Sequence, residues 1–480
     1  MTETNNDNDQ DNSPTPLQQV TFLLRKYKLV EGLVNLQDAP DESLAESAVQ
    51  KQNLSELQHF LDQLHPADIA LILEALPMED RLLIWSMVKA DRDGEVLLET
   101  SDAVRETLIT DMGNHELVAA TEYLDADEIA DLAPDLPQEV MDDVFRSLPV
   151  EEREQLRAAM SYPEDSVGAL MDFDVITIRE DVRMEVVLRY LRMLDEMPDH
   201  TDQLFVVDRN EQLKGVLLIN RLLVSDPDTL VADVMTNEMI KLHPDDVAQQ
   251  AANAFERYDL VSASVVDDND KLLGRVTVNT VIDFIRDKAE NDALNLAGLS
   301  EEEDLFAPVL KSVQNRWVWL AVNLVTAFIA SRVIGLFEDS IEKLVALAAL
   351  MPIIAGIGGN SGNQTITMIV RALALDQINT SSAWKLITKE VGVSIVNGLL
   401  WGTIVGLFTF AIYQNAELGL VMTLALVLNL LLAALLGVLI PLTLRKFGRD
   451  PAIGSSVMIT AVTDSGGFFI FLGLATIFLL

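Results

Sequence analysis

Residues 351–374, MPIIAGIGGNSGNQTITMIVRALA, form an apolar segment that proline and glycine interrupt, within an apolar half of the chain. Five apolar segments follow one another there, at about 316–337, 342–374, 389–413, 418–444 and 454–480. Each reaches the roughly 20 residues that a helix needs to cross a bilayer. Trp317, Trp319 and Trp384 lie near segment starts, as in an interfacial belt. The pattern predicts an all-α transmembrane domain of five helices.

The glycine-rich part of the second segment is a candidate ion path. Pro352 and the glycines at 356–362 weaken a helix, and unwound backbone at membrane depth lies buried or lines a wet cavity. Asn360, Asn363 and Gln364 add amide oxygens, which suit hard cations or their hydration water. A glycine-rich helix that packs closely against its neighbours has the same composition and is the alternative interpretation.

Asp464, in VMITAVTDSGGFFIFL (457–472), is the only carboxylate well inside a predicted span. A charge at that depth costs roughly 2.5–3.5 kcal/mol and usually faces water or an ion. Thr460 lies one helical turn earlier and extends the polar face. Because the chain has no cysteine and its five histidines precede the spans, oxygen ligands favour Mg²⁺ over zinc or copper.

Charge divides the chain sharply. Residues 1–312 contain 25 Lys and Arg and 67 Asp and Glu, whereas residues 313–480 contain nine and eight. An acidic half attracts cations and repels nucleic acid, although a merely solvated acidic surface explains the same count. Lys and Arg lie in the loops at 371–389 and 445–449, which predicts that these loops and the acidic half are cytoplasmic and the C-terminus is outside.

The acidic half divides into four parts. Residues 1–16 are polar and predict a disordered tail, and 17–160 predict a superhelical stack of short helices with acids in their first turns. In 161–280, LFVVDRNEQLKGVLLINRLL (204–223) matches ASVVDDNDKLLGRVTVNTVI (263–282), a strand–turn–strand–helix repeat. This repeat resembles a tandem pair of CBS domains, which implies binding of ATP or another adenine nucleotide. Residues 281–315 predict a long connecting helix.

Taken along its length, the chain resembles the MgtE-type magnesium channels. The stretches PIIAGIGGNSGNQ (352–364), RALAL (371–375) and RDPAIGSSVMITAVTD (449–464) are similar to signature stretches of that family. The resemblance implies a homodimer in the bacterial inner membrane, with a pore between the second and fifth helices. It also implies a pore aspartate at Asp464, a cytosolic-side aspartate at Asp450, and closure when Mg²⁺ bridges acids of the cytosolic domains and the connecting "plug" helix.

The regulatory acids that the resemblance implies are candidates by position, and for each of them a solvated acid is the alternative. In the CBS pair and the plug helix they are Asp226, Asp228, Asp245, Asp246, Asp267, Asp268, Glu290 and Asp292. Asn279, Thr280 and Asn291 stand where the family often has acids, which predicts weaker or displaced ionic gating.

The sequence therefore predicts a multi-domain membrane protein that takes up Mg²⁺ and is closed by Mg²⁺. Its expected partners are a second copy, membrane lipid and divalent cations, and not nucleic acid. A transporter of Co²⁺ or Mn²⁺ and a non-conducting, membrane-anchored ligand sensor are the alternatives. An enzyme is not expected, because no phosphate loop, nucleophile–base pair or metalloprotease motif is present in the sequence.

Overall fold

The computed structural model describes residues 15–34, 43–194, 196–299, 304–375, 377–378 and 383–480. It consists of two compact units. The first comprises the chain up to Asp283 together with Asp304–Pro308, and the second comprises residues 284–303 and 309–480. The predicted tail lies almost wholly outside the described residues, because only residues 15 and 16 of it are described.

The first unit begins with a stack of short helices that share one apolar core. They are α1 (Pro16–Val34), α2 (Ser43–Leu61), α3 (Pro66–Glu74), α4 (Met78–Trp85), α5 (Asp93–Glu99), α6 (Asp102–Asp111), α7 (Asn114–Ala120), α8 (Ala126–Leu132), α9 (Gln138–Ser147) and α10 (Val150–Ala159). From α3 onward they form four pairs, and the second helix of each pair begins at 24-residue intervals. The predicted helical domain is confirmed, as a repeat of helix pairs.

An arginine recurs near the start of the second helix in three of the four pairs. Arg81 and Arg105 each donate from Nε to the carbonyl eight residues earlier and from Nη2 to the carbonyl five residues earlier. Arg153 donates to the carbonyl of Leu148, also five residues earlier. Ile129 occupies the equivalent place in the third pair and is fully buried. The guanidinium groups thus satisfy carbonyls at the end of the preceding helix, except in that pair.

The rest of the first unit folds twice into the same three-stranded arrangement. Its elements are β1 (Thr177–Arg179), α11 (Met184–Leu191), β2 (Gln203–Val207), β3 (Leu213–Leu218), α12 (Ile219–Val224), α13 (Val231–Val234), β4 (Lys241–Leu242), α14 (Ala248–Tyr258), β5 (Ser262–Val266) and β6 (Leu272–Thr277). In each sheet the first strand pairs parallel with the second, and the second antiparallel with the third. The register shifts at equivalent places, Val206/Val207 and Val265/Val266. The predicted repeat is confirmed.

Equivalent aspartates hold the two hairpin turns. Oδ1 of Asp208 and of Asp267 accepts the backbone N–H groups two and four residues later. The residue two positions before the returning strand is left-handed in both turns, Glu211 at φ 62° and Asp270 at φ 60°. These carboxylates replace backbone hydrogen bonds that a tight turn leaves unmade, which explains their recurrence in the repeat.

The connecting helix, α15 (Val278–Ala297), follows β6 directly and is shorter than predicted. It ends where Gly298 adopts a left-handed φ of 76° and the N–H of Leu299 donates to the carbonyl of Leu294 at 2.9 Å. This is a glycine C-cap of the Schellman type. The helix therefore stops well before residue 315, and the first apolar helix begins at Val309 instead of 316.

The second unit is a bundle of long apolar helices. They are α16 (Val309–Gly335), the short α17 (Glu338–Lys343), α18 (Ala346–Ala374), α19 (Ala383–Tyr413), α20 (Ala416–Lys446) and α21 (Ser455–Leu479). Among the described residues, four of these helices are long and apolar enough to cross a membrane: α16, α19, α20 and α21. α18 has 29 residues but is not among these four, and glycines and amide side chains interrupt its apolar residues.

The predicted interruption of the second apolar segment is wrong. α18 is continuous through Pro352 and all of its glycines. A Cβ on Gly358 would lie 2.2 Å from Nδ2 of Asn429 on α20, and a Cβ on Gly362 would lie 2.4 Å from Cγ1 of Ile459 on α21. The glycines at these two positions allow close helix packing, the alternative that the composition had left open.

Candidate ion pathway and acidic cavity

The helices that carry the predicted ion-pathway residues, α18 and α21, pack directly against each other. Gly362 of α18 faces Ile459 of α21, and one turn away Gly359 faces Thr463, whose Oγ1 lies 3.8 Å from a Cβ built on that glycine. Ile459 and Thr463 are fully buried. The close contact fixes the relative position of the polar residues on the two helices.

One face of α18 is polar and exposed in the single chain. Asn360, Gln364, Thr367 and Arg371 recur every three or four residues along it, and all four are exposed. Asn363 is partly buried beside this face. A polar strip on an otherwise apolar helix requires water or a polar partner at membrane depth. The predicted amide residues therefore share one side of the helix, although the backbone there is helical.

On α21, Asp464 is partly buried and Thr460, one turn earlier, is exposed. Oγ1 of Thr460 donates to the carbonyl of Ser456 at 2.8 Å, so its lone pairs remain available as acceptors. Within the described ranges, no hydrogen bond or ion pair engages Asp464. The carboxylate has lost part of its hydration without gaining a protein partner, and a cation beside it offsets that loss.

Asp450, just before α21, is linked to the connecting helix within the second unit. Its Oδ1 accepts the N–H of Ala452 at 2.8 Å, and its Oδ2 lies 3.2 Å from Nζ of Lys288 on α15. The same ammonium lies 3.6 Å from Oδ1 of Asp292. Burial raises the pKa of Asp292, whereas Lys288 lowers it. Two predicted acids thus share a lysine, and Glu290 is exposed.

The predicted acids of the CBS pair have local partners or point to solvent. Asp228 pairs with Arg183 at 2.7 Å, and Asp246 accepts the N–H of His243 at 2.9 Å. Asp267 holds its hairpin turn, where the N–H of Lys271 is the largest cause of its lowered pKa. The other three are exposed: Asp226, Asp245 and Asp268. In the described part of the chain no three His, Asp or Glu are arranged to hold a metal ion. Metal sensing by these acids stays a prediction.

A cavity that the sequence analysis missed lies in the first unit, between the helical stack and the strand-containing part. Its volume is about 290 Å³, and five acids line it: Glu122, Asp125, Asp127, Glu152 and Asp174. We call it the acidic cavity. Asp125 and Asp127 lie in LDADEIADLA (124–133), where the sequence indicated only a helix start, so only the fold brings them to Asp174.

Crowding of like charge marks this cavity. Burial, with the charge of Asp172 as the next cause, raises the pKa of Asp127 to about 8. Burial also raises the pKa of Asp125, with Asp174 as the next cause. Arg275 pairs with Asp172 at 2.7 Å, but no described Lys or Arg forms an ion pair with Asp125 or Asp127. Groups held this far from their ordinary pKa favour binding of protons or cations.

Two buried polar residues of the apolar bundle were also missed. Asn429 on α20 is fully buried between Gly358 and Gly467, and its Nδ2 donates to the carbonyl of Ile354 at 2.9 Å. Glu390 is 5% exposed and accepts from the hydroxyl of Thr365 at 3.4 Å. Because α19 begins at Ala383 and not at 389, Glu390 lies two turns inside it. Glu390 is therefore a further carboxylate within one of the long apolar helices.

Comparison with known families covers most of the chain. The family model for "Divalent cation transporter" (MgtE) matches residues 351–474, that for the "MgtE intracellular N domain" matches 64–165, and that for the "CBS domain" matches 231–287. The CBS match covers the second three-stranded sheet, β4 to β6, and the start of α15.

Named relatives match two thirds or more of the chain. A protein of Thermus thermophilus named "Magnesium transporter MgtE" is 30% identical over 92% of this chain and 99% of its own. The protein of the same name in Enterococcus faecalis is 31% identical over 68% of this chain and 72% of its own. A solved cytosolic domain of "the Mg2+ channel MgtE in complex with ATP" is 28% identical, with a TM-score of 0.45 over 50% of this chain and 98% of its own.

Proposed function

Because this chain belongs to the MgtE family of divalent cation transporters, we propose that it carries Mg²⁺ into the cell along a path beside Asp464. It is a multi-pass membrane protein, and its family consists of transporters and not enzymes. The observation that carries the proposal is the partly buried Asp464 carboxylate, which has no partner among the described residues and lies on a helix packed against the polar α18.

We propose that the path is completed by a second copy. The strip formed by Asn360, Gln364, Thr367 and Arg371 is exposed in the single chain, although it lies on a helix of an apolar bundle. Two copies that face each other through this strip and Asp464 enclose a polar conduit lined by carboxylate and amide oxygens. Such oxygens suit a hydrated Mg²⁺, which gives up its water reluctantly.

We propose five spanning helices, with the helical stack and the CBS pair in the cytoplasm and the C-terminus outside. Lys385 and Lys389 lie in the first two turns of α19, and Lys446 and Arg449 lie at the end of α20 and just after it. Basic residues at these helix ends favour a cytoplasmic location for them. The acidic half then samples cytoplasmic Mg²⁺. We propose the bacterial inner membrane as the location, because the named relatives are bacterial transporters.

We further propose that Mg²⁺ closes the path by binding in or near the acidic cavity. Asp125 and Asp127 lack a described cationic partner and crowd against Asp172 and Asp174. A divalent cation that binds there relieves the repulsion and favours the compact state, because that state offers the better site. The acids of the CBS pair and of α15 named above are further candidates for the same role.

The transport proposal is tested with purified protein in liposomes that contain a Mg²⁺-sensitive dye. We expect Mg²⁺ influx that tenfold excess Ca²⁺ leaves unchanged and that Co²⁺ or Mn²⁺ inhibits only weakly. Empty liposomes and the Asp464→Ala protein are the controls. Stronger flux of Co²⁺ or Mn²⁺ than of Mg²⁺ favours the other divalent transporter, and absence of any flux favours the non-conducting sensor.

We also propose that the CBS pair binds an adenine nucleotide. A cleft of about 450 Å³ lies between its two three-stranded sheets, with Thr236, Ser262 and Ser264 among the residues that line it. This volume is in the range of small-molecule sites. We expect calorimetry to detect ATP binding to the full chain and to lose the signal in Ala263→Trp, which fills the cleft. Unchanged binding by that variant contradicts this location.

A further inference from the structure

We infer that Arg81 of the helical stack is a docking site for the segment Asp304–Pro308, which leads directly into α16, and that this contact makes the start of α16 follow the stack. We call the contact the Arg81–Asp304 clasp. The inference concerns how the soluble part acts on the transport path, so it rests on the proposed function.

The clasp is a buried, two-pronged ion pair between residues 223 positions apart. Nη1 of Arg81 lies 2.6 Å from Oδ2 of Asp304, and Nη2 lies 3.1 Å from Oδ1. The arginine side chain is 0% exposed and the aspartate side chain 8% exposed. A fork-to-carboxylate contact of this kind fixes both the distance and the orientation of its partners.

Asp304 also organises the segment that it anchors. Its Oδ1 accepts the N–H of Phe306 at 2.9 Å, and its carbonyl accepts the N–H of Ala307 at 3.1 Å. One residue therefore both folds the turn and docks it. The turn ends at Pro308, and α16 begins at the next residue, Val309. Five peptide bonds join Asp304 to the first residue of α16, so a displacement of Arg81 is transmitted to that helix over a short distance.

The repeat of the stack shows that this use of the arginine is particular to the first pair. Arg105, its equivalent, makes the same two bonds to carbonyls of the preceding helix, but its Nη1 lies 3.2 Å from Asp135 of the stack itself. Arg81 directs the same nitrogen outside the stack, to Asp304. The scaffold bonds are thus common to both arginines. Arg105 also lies 3.4 Å from Asp102, and its pair with Asp135 is less buried than the clasp. Asp135→Asn therefore controls for the loss of one carboxylate partner from an equivalent arginine of the stack.

The test is made with the full chain, which has no cysteine, so that a single Ala307→Cys substitution reports on the segment. Ala307 is only partly exposed. The rate of its labelling by a water-soluble maleimide is measured in three backgrounds: otherwise unchanged, Asp304→Asn and Asp135→Asn. Mg²⁺ flux into liposomes is measured for the same three proteins as a function of Mg²⁺ on the side of the acidic half.

We expect Asp304→Asn to raise the labelling rate at least about tenfold, because a buried guanidinium loses its carboxylate, and to weaken inhibition of flux by Mg²⁺. Asp135→Asn should change neither. Equal labelling in all three backgrounds overturns the docking. Faster labelling with unchanged Mg²⁺ inhibition overturns the transmission to α16. If the unchanged protein shows no inhibition by Mg²⁺, the gating proposal fails, while the labelling rates still decide the docking.

Discussion

Replacement of Asp464 by alanine is expected to reduce Mg²⁺ uptake at least about tenfold in cells that lack other Mg²⁺ transporters. A divalent ion at membrane depth needs compensating negative charge, and Asp464 supplies it from a partly buried position without a described protein partner. Removal of the carboxylate leaves the amide oxygens of α18, which carry no net charge. Uptake is measured with a Mg²⁺-sensitive dye or by growth at limiting Mg²⁺.

One variant distinguishes the charge of Asp464 from its volume, and a second variant is a control at another carboxylate. Asp464→Asn keeps the volume and should be impaired almost as strongly as alanine. Glu417→Gln removes a carboxylate from the first turn of α20, where it is exposed, and should leave uptake near normal. Membrane-fraction yield and elution profile in detergent verify folding. Undiminished uptake by a folded Asp464→Ala protein excludes this aspartate from the permeation path.

Neutralisation of the acidic cavity is expected to uncouple the soluble part from Mg²⁺. We expect the double variant Asp125→Asn, Asp127→Asn to melt several degrees higher than the unchanged protein in EDTA, and to gain little from added Mg²⁺. Relief of about 1–3 kcal/mol of repulsion corresponds to roughly 2–4 °C per kcal/mol in a domain of this size. Asp172 is retained in this variant because it pairs with the buried Arg275. The measurement is a thermal melt of the full chain in detergent.

The pH dependence has a defined sign. The pKa of Asp127 is raised from 3.8 to about 8, so the folded protein binds more protons than the unfolded chain between these values. Its stability in EDTA therefore falls as pH rises from about 4 to 8. The double variant should lose much of this slope. Asp142→Asn with Glu154→Gln removes two exposed acids of the stack and should retain it. Equal slopes of stability against pH in all three proteins would show that Asp125 and Asp127 do not cause the pH dependence.

The sequence predicted the repeat of the strand-containing part because its pattern is local. Alternating apolar residues, an aspartate at the turn and a glycine at a fixed distance recur at equivalent positions, and Asp208 and Asp267 make the same hydrogen bonds. Long apolar runs likewise predicted the bundle. Such features depend on neighbours in the chain, and a single sequence displays them directly.

What the sequence did not predict depends on contacts between distant residues. The glycines of α18 indicated a broken helix, because nothing local reveals that Asn429 and Ile459 press against them. The acidic cavity is lined by residues near 125 and residues near 174. Asp304 contacts Arg81, which lies 223 positions earlier in the chain. The recurring arginines were visible at 24-residue spacing, and a search for periodic basic residues in the helical part would have found them.

The exception in that spacing has a consequence for how the stack handles charge. Three helix pairs carry their own guanidinium, whereas the third has the aliphatic Ile129 at the same place. That pair also contributes Asp125 and Asp127. The helical stack therefore has no recurring arginine at the pair whose acids line the acidic cavity. Because Ile129 carries no charge, the negative charge of the acidic cavity is left to be balanced by cations from the surrounding solution.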